Sequence, residues 1–235
     1  MRLAFRVVVD SRDKRTEFTP QFVKDAGAKG FMNKGKWSPY SDDPVFQKYY
    51  TKFVKALAKD FNDPSKVEFI DGFGLGKWGE YHTMIYSTGD DTPKKAVFNW
   101  VTDIYSQAFD KVPVVINYHR WIGAGKDWVD DEHFAADSEE MLEEAIKKGY
   151  SLRHDAFGMT TYYGSWERRF AKKYRNICPI IMEGGWIVKS HSYWQDPRGY
   201  RKDSHEDVRR GEFDDSKEAH VNIDGFPFWR YRVLV

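Results

Sequence analysis

Apolar residues recur along the chain in two patterns that alternate with each other. Short apolar runs at residues 3–9, 67–70, 113–118 and 180–183 have the length and composition of buried strands. Between these runs, apolar residues are spaced about four positions apart, as on the buried face of an amphipathic helix. With shorter strands at 151–155 and 221–223, the pattern predicts six strands that alternate with five helices. Such an alternation is typical of a parallel sheet with helical crossovers.

The clearest helix begins at Asp43-Pro44, which is an N-cap followed by proline at the first helical position. The residues at a spacing of four that form its buried face are Val45, Tyr49, Phe53, Leu57 and Phe61. Further helices are predicted from residue 93 and over 138–149, 165–176 and 203–219, with one short helical turn over 19–27. The segments predicted as loops are 37–40, 81–92, 119–137 and 187–203.

These elements predict an α/β fold of the (β/α)8 TIM-barrel type, in one domain over residues 1–235. Six strands are two fewer than a full barrel needs, so we expect the first two β/α units to be absent. Because an incomplete barrel exposes sheet edges, we also expect a missing segment or a partner that completes it. A doubly wound open sheet is the alternative fold at this level.

The composition of the chain argues against some classes of function and favours others. The net charge is +1 with 31% charged residues, so no overall field draws the chain to nucleic acid. Aromatic residues make up 17%, and their faces suit sugar rings as well as a protein core. Cys178 is the single cysteine, which excludes a disulfide within the chain. No apolar run has the length of a membrane span.

Two stretches combine a strand, glycines, a glutamate and aromatic residues. The first runs from Val67 to His82 and contains Glu80, and the second runs from Cys178 to Trp186 and contains Glu183. In parallel α/β folds, the residues at the carboxyl ends of strands carry the chemistry. Glycoside hydrolysis needs two carboxyl groups, one to protonate the leaving oxygen and one to attack carbon or to activate water. The alternative is that each glutamate only caps a loop or pairs with an arginine.

Other polar and aromatic residues near strand ends are candidates for binding a saccharide. Those beside the two glutamates are Trp78, Tyr81, His82 and Trp186, and those near other strands are Asn117, His119, Arg153, His154 and Asp155. Arg153-His154-Asp155 could instead form an ion pair or orient a glutamate. Arg6 lies inside the first predicted strand, where a buried charge needs a carboxylate partner, and we expect that partner to be Asp71 or Glu80.

Three other kinds of site have weaker signals. Gly74-Leu-Gly-Lys-Trp-Gly79 matches the G-x-G-x-x-G pattern of dinucleotide sites, but the next predicted helix begins only near Pro93. The seven histidines lack metal-ligand spacing, so no metal is expected. No G-x-S-x-G elbow is present, which argues against a serine hydrolase.

The two glutamate stretches resemble the β-galactosidase-like glycoside hydrolases of clan A, which are (β/α)8 barrels often found in polysaccharide-degrading bacteria. The further segments that match are Phe5-Arg-Val-Val, 19–31, Asp42-Asp-Pro44 and 152–158. The resemblance implies that Glu80 is the acid/base at the end of barrel strand four and Glu183 the nucleophile at the end of strand seven. It also implies a secreted, periplasmic or cell-surface location. One departure is Gly79, where most members of the clan have an asparagine that contacts the substrate's 2-hydroxyl.

The sequence therefore predicts a retaining glycoside hydrolase that acts on a β-linked glycan without a cofactor. One alternative is a non-catalytic glycan-binding or degenerate barrel, for which the missing strands and Gly79 would account. The other alternative is a nucleotide-dependent oxidoreductase that uses the glycine-rich segment.

Overall fold

The computed structural model describes residues 2–12, 16–126, 132–157, 162–184, 199, 205–221 and 223–225. Its strands are β1 (Leu3–Arg6), β2 (Gly30–Asn33), β3 (Lys36–Pro39), β4 (Val67–Asp71), β5 (Val114–Asn117), β6 (Ser151–Phe157), β7 (Ile180–Gly184) and β8 (Ile223–Gly225). Its helices are α1 (Gln21–Asp25), α2 (Pro44–Phe61), α3 (Lys94–Ala108), α4 (Glu132–Lys147), α5 (Ser165–Tyr174) and α6 (His205–Ala219).

The chain divides into two compact units. The first unit comprises Met1–Ile116 with Trp121–Tyr150, and the second comprises Asn117–Arg120 with Ser151–Val235. In the first unit, β1 pairs with β4 and β4 pairs with β5, both in parallel. In the second unit, β6 pairs with β7 and β7 pairs with β8, again in parallel. That the chain forms one domain stays a prediction.

The strand order of the parallel sheet is β1-β4-β5-β6-β7-β8. Each strand lies beside the preceding strand of that sheet, and the order never reverses. A barrel of β/α units has this order, whereas the order in a doubly wound open sheet reverses at a switch point. The predicted α/β fold of the barrel type is therefore confirmed, and in the described residues this sheet has six strands where a full barrel has eight.

The prediction of a loop at 37–40 is wrong, because Lys36–Pro39 forms strand β3. It pairs antiparallel with β2, which places Phe31 opposite Ser38. The connection is the two-residue turn Lys34-Gly35, and both residues have positive φ, 49° and 76°. Turns with two positive φ angles match the twist of a hairpin and favour glycine. The signal was thus present in the sequence, in Asn33-Lys34-Gly35.

Several element ends differ from the predicted ones. Strand β1 ends at Arg6 and not at Val9, and β6 continues to Phe157. Strand β8 occupies Ile223–Gly225 where residues 221–223 had been predicted. Helix α4 is described from Glu132, inside the predicted loop 119–137. Ends of elements depend on tertiary hydrogen bonds, which the local pattern does not contain.

Helix α2 begins as predicted, but its buried face lies one position further along the chain. Phe46, Tyr50 and Val54 are buried, whereas the predicted residues are intermediate or, for Phe53, exposed. The Asp43 side chain accepts a hydrogen bond from the Phe46 backbone N–H at 2.8 Å, and proline follows at the first helical position. Phe46 and Tyr50 are buried and contact Trp100 of α3, with ring centroids 6.2 and 5.9 Å apart. These aromatic contacts fix α2 against α3 in the first unit.

Among the fully buried carboxylates in the second unit is Glu167 on α5. It accepts hydrogen bonds from the Arg120 side chain at 2.9 Å and from the Gly164 N–H at 2.8 Å. Burial raises the pKa of Glu167, while the charge of Arg120 acts in the opposite direction. After the C-terminal end of α5, burial raises the pKa of the Cys178 thiol to about 11, so this cysteine is a poor nucleophile at neutral pH.

No helix in the described part of the chain combines the length and the hydropathy that crossing a membrane requires.

The N-cap of helix α2 can be tested by substitution. Asp43→Ala removes the acceptor for Phe46 N–H, and we expect a loss of about 1 kcal/mol in the free energy of unfolding. Asp60→Ala, at the exposed C-terminal end of the same helix, is the matched control. Because a carboxylate is unfavourable near a helix C-terminus, that change should lie within about 0.5 kcal/mol of zero. Urea unfolding measures both, and equal effects would contradict the assigned cap.

Candidate active site

Residues 72–83 follow β4 and fold into a series of tight turns. Gly74, Gly76 and Gly79 have φ angles of 77°, 73° and 73°, a left-handed conformation that glycine adopts without strain. The segment is closed by backbone hydrogen bonds from Lys77 N to His82 O at 2.9 Å and from Tyr81 N to Leu75 O at 3.0 Å. Its conformation is therefore fixed by its own backbone as well as by its surroundings.

This geometry disfavours a dinucleotide site. In such a site, the last glycine of the pattern lies in a helix whose N-terminus faces the pyrophosphate. Here the chain forms turns through Gly79, and the next helix, α3, begins only at Lys94.

Arg6 joins the glycine-rich segment to the sheet. Its Nε donates to Asp71 Oδ2 at 2.8 Å, and its Nη1 donates to Glu80 Oε1 at 2.6 Å. Nη1 also lies 3.3 Å from the Trp78 carbonyl oxygen. Asp71 and Glu80 are both buried. The prediction that Arg6 pairs with Asp71 or Glu80 is confirmed for both carboxylates.

Steric contacts explain why glycine occupies position 79. A Cβ atom at this position would lie 2.8 Å from the Val7 carbonyl oxygen and 3.0 Å from Arg6 Cδ. The positive φ adds strain for any other residue. The chain passes so close to the end of β1 that glycine is the residue that fits before Glu80.

Trp78 is the exposed aromatic residue of the segment, with 43% of its surface accessible. Lys77 Nζ lies 4.3 Å from the centroid of its indole ring, and the His82 ring meets it edge-on at 5.9 Å. Trp78 lines a pocket of about 300 Å³ together with Arg6, Val8 and Phe18. This pocket adjoins the ion pair of Arg6 with Glu80.

Tyr81 and His82 are buried, unlike Trp78. The Tyr81 ring centroid lies 3.7 Å from that of Phe73, and the Tyr81 hydroxyl donates to the Lys94 carbonyl at 3.2 Å. Burial raises the pKa of Tyr81. These contacts attach the segment to α3, while binding of substrate by the two residues stays a prediction.

Two buried hydroxyls hold the beginning of the segment, and the sequence analysis did not identify them. Tyr50 of α2 donates to the Phe73 carbonyl at 3.0 Å, and Tyr150 donates to the Gly72 carbonyl at 2.8 Å. Burial raises the pKa of both tyrosines, which keeps the hydroxyls protonated as donors. Tyr50 lies outside the predicted apolar stripe of α2, and Tyr150 lies between α4 and β6, so the spacing of apolar residues identified neither.

In the second unit, Glu183 is the penultimate residue of β7. Its Oε2 accepts a short hydrogen bond from Arg153 Nη2 on the neighbouring strand β6. Arg153 is buried, whereas the Glu183 side chain is 45% exposed. The expectation that the Arg153 segment could orient a glutamate or form an ion pair is thereby met, although these residues lie within β6 and not at its end.

The other predicted residues of this unit line its interior. His154 Nδ1 accepts a hydrogen bond from the Ala156 N–H at 3.0 Å, and its ring lies edge-on to Tyr118 and Tyr163, at 4.9 and 4.7 Å. Buried residues on either side of Tyr118 are Asn117 and His119, and Asp155 lies beside His154. Their role in binding stays a prediction, and Trp186 lies outside the described residues.

Glu80 and His82 present possible metal-ligand atoms within 4.8 Å of each other. The guanidinium of Arg6, which is paired with Glu80 Oε1, would repel a cation at this carboxylate. That the protein works without a metal stays a prediction.

No protein-family model and no curated protein matches the chain. Among solved structures, it is similar to endo-glycoceramidase II from Rhodococcus sp. In the lactosyl-enzyme intermediate of that enzyme, the match has 14% identity and a TM-score of 0.45 over 95% of this chain and 54% of that one. In its complex with a cellobiose-like imidazole, the values are 12%, 0.46, 96% and 55%.

The chain spans about half the length of these solved structures. Because both TM-scores lie below 0.5, the likeness carries no argument about activity. The strand order and the parallel pairing described above remain the basis of the fold class.

Gly79→Ala tests the close approach before Glu80. We expect it to destabilise the fold by about 1–3 kcal/mol, since it combines a strained φ with contacts to Val7 and Arg6. Gly89→Ala is a matched control, because Gly89 has a φ of 79° but nothing within 4 Å of its Cβ position. Thermal unfolding of both variants separates the steric contribution from backbone strain. Equal destabilisation would show that the contact with Arg6 is unimportant.

Proposed function

We propose that the protein is a retaining glycoside hydrolase of clan A that acts on a β-linked glycan. The observation that carries the proposal is that Glu80 and Glu183 each follow or end a parallel strand and each accept a hydrogen bond from an arginine of an adjacent strand. Rigid placement of two carboxyl groups at strand ends is what the double displacement requires.

In the proposed reaction, Glu183 attacks the anomeric carbon while the bond from that carbon to the leaving oxygen breaks. Glu80 gives its proton to the leaving oxygen. A water molecule then attacks the glycosyl-enzyme ester, Glu80 takes a proton from that water, and Glu183 is released as a carboxylate. No cofactor takes part.

Each arginine has a defined task in this scheme. Arg153 holds Oε2 of Glu183 and so orients this carboxylate for attack on carbon. Arg6 holds Oε1 of Glu80 and orients this carboxyl group for proton transfer. Because Arg6 also binds Asp71, the three side chains together carry one net negative charge when both carboxyl groups are ionised.

The second candidate function is glycan binding without catalysis. It is favoured by the same two ion pairs, since a glutamate that is neutralised by an arginine can have a structural role alone. The two functions differ in turnover, so an assay of hydrolysis separates them.

The first experiment removes each carboxyl group. Glu183→Ala should lower kcat on an aryl β-glycoside by at least about 10³-fold. Glu80→Ala should lower it by about 10²–10⁴-fold, the usual contribution of general acid–base catalysis. Glu68→Ala is the control, because Glu68 lies on β4 but pairs with the exposed Arg2. Hydrolysis that survives both changes would defeat the proposal, and binding of glycan with no turnover by the unaltered protein would favour the second candidate.

The stereochemistry of the product is an independent test. We expect retention of the β configuration, followed by proton NMR of the sugar released early in the reaction. In an experimental structure, the carboxyl groups of Glu80 and Glu183 should be about 5 Å apart, whereas about 6.5–9.5 Å is typical of inverting enzymes. An α-configured first product would contradict the double displacement.

A further inference from the structure

The first unit contains a cavity of about 910 Å³ that has no part in the site described above. It is lined by residues of the segment 84–92, which follows β4, by Gly125 and Lys126, which follow β5, and by residues of α3 and α4. Glu80 is not among the residues that line it. Its volume lies within the range of about 300–1,000 Å³ that is typical of pockets for small organic ligands.

Hydrogen bonds join the two segments that line this cavity. The Tyr86 hydroxyl donates to the Gly123 carbonyl at 2.9 Å, and Asp91 Oδ1 accepts from the Gly125 N–H, also at 2.9 Å. A Cβ atom on Gly125 would lie only 3.1 Å from Asp91 Oδ1, so this approach depends on glycine. The shape of the cavity is therefore fixed by the protein itself, which reduces the ordering that a ligand must impose.

The charged groups that line the cavity balance one another. They are three carboxylates and three ammonium groups, those of Asp90, Asp91, Asp137, Lys94, Lys95 and Lys126. Lys94 is buried, and its Nζ lies 2.5 Å from Asp137 Oδ2, while Lys95 Nζ lies 3.1 Å from Asp137 Oδ1. An ionic ligand would have to compete with these ion pairs, and a lining without net charge attracts neither a cation nor an anion. The cavity therefore favours a neutral ligand.

Hydroxyl groups are the neutral groups that suit this lining best. A hydroxyl both donates and accepts, so it can bind a carboxylate and an ammonium group at the same time. A carboxylate has about four lone-pair sites, so one that already accepts a hydrogen bond can accept another from a ligand. Met84 and Tyr86 are buried residues of the lining and add an apolar surface, on which the C–H face of a sugar ring can pack.

We propose that this cavity is a binding site for a neutral oligosaccharide and that it is separate from the site at Glu80. The observation that carries the proposal is that paired charges of both signs and an apolar surface line one preformed cavity of ligand size. The proposal goes beyond the glycosidase function, because it follows from the lining of the cavity and needs no catalysis. Thr92 and Lys126 are exposed residues of this lining, so a ligand that enters from solvent meets them.

The test is calorimetric titration of the Glu183→Ala protein, which does not consume its ligand, with cellotetraose, galactotetraose, xylotetraose and mannotetraose. Thr92→Trp places an indole ring in the cavity and should weaken binding by at least about tenfold. Lys126→Ala removes one charged donor and should weaken binding by about two- to tenfold, which keeps the test open if Thr92→Trp does not fold. Lys55→Ala, an exposed lysine of α2, is the matched control and should change nothing.

Binding in this cavity and catalysis at the two glutamates can fail separately. The proposal is overturned if none of these oligosaccharides binds at about 10 mM, or if neither Thr92→Trp nor Lys126→Ala weakens their binding. Calcium or glycylglycine that binds in their place, and is lost in Thr92→Trp, assigns the cavity to an ion or a zwitterion and also overturns it. If oligosaccharide binding depends on these two residues but the unaltered protein hydrolyses no aryl β-glycoside, the saccharide site stands and the glycosidase fails.

Discussion

The ion pairs of Arg6 are the interaction on which the candidate site depends. A guanidinium beside a sheet is costly unless carboxylates neutralise it and accept its hydrogen bonds. Asp71, at the end of β4, and Glu80, nine positions later in the sequence, supply both, at 2.8 and 2.6 Å. The chain between them must return to β1, and it does so through left-handed glycines. The same return brings Gly79 against Val7 and leaves Trp78 on the surface.

The second unit contains a similar ion pair, but in it the arginine is more buried than the glutamate. Arg153 is buried and Glu183 is about half exposed, whereas Glu80 is buried and Arg6 is partly accessible. A buried arginine fixes one oxygen of Glu183. In the first unit the glutamate is the buried partner, and the pairing with Arg6 holds its side chain in one orientation.

The sequence predicted those features that depend on local signals or on the cost of burying charge. The start of helix α2 was predicted from Asp43-Pro44, and strand β4 from a short apolar run. The spacing of apolar residues gave the helix but placed its buried face one position too early. The partners of Arg6 followed from the need to neutralise it. Strand β3 was missed because Trp37-Ser-Pro-Tyr40 resembles a loop when the turn at Lys34-Gly35 is overlooked.

Other features could not be predicted, because they arise from residues far apart in the sequence. The hydrogen bond from Tyr150 to the Gly72 carbonyl and the cavity lined by Tyr86, Lys94 and Asp137 exist only after β4, α3 and α4 have packed. The steric requirement for Gly79 is of the same kind, since it comes from Val7 and Arg6. A pattern of apolar and polar positions indicates that a side chain is buried but not which atom it meets.

The β2–β3 hairpin lies in the connection between β1 and α2, after the carboxyl end of β1. The two strands of the hairpin pair with each other. The hairpin is joined to the preceding loop through Ser38, whose hydroxyl accepts a hydrogen bond from the Ser11 N–H at 2.8 Å. Insertions or deletions at its tip would therefore leave the register of β1 and β4 untouched. The length of this hairpin can therefore change in evolution while the supporting sheet stays constant.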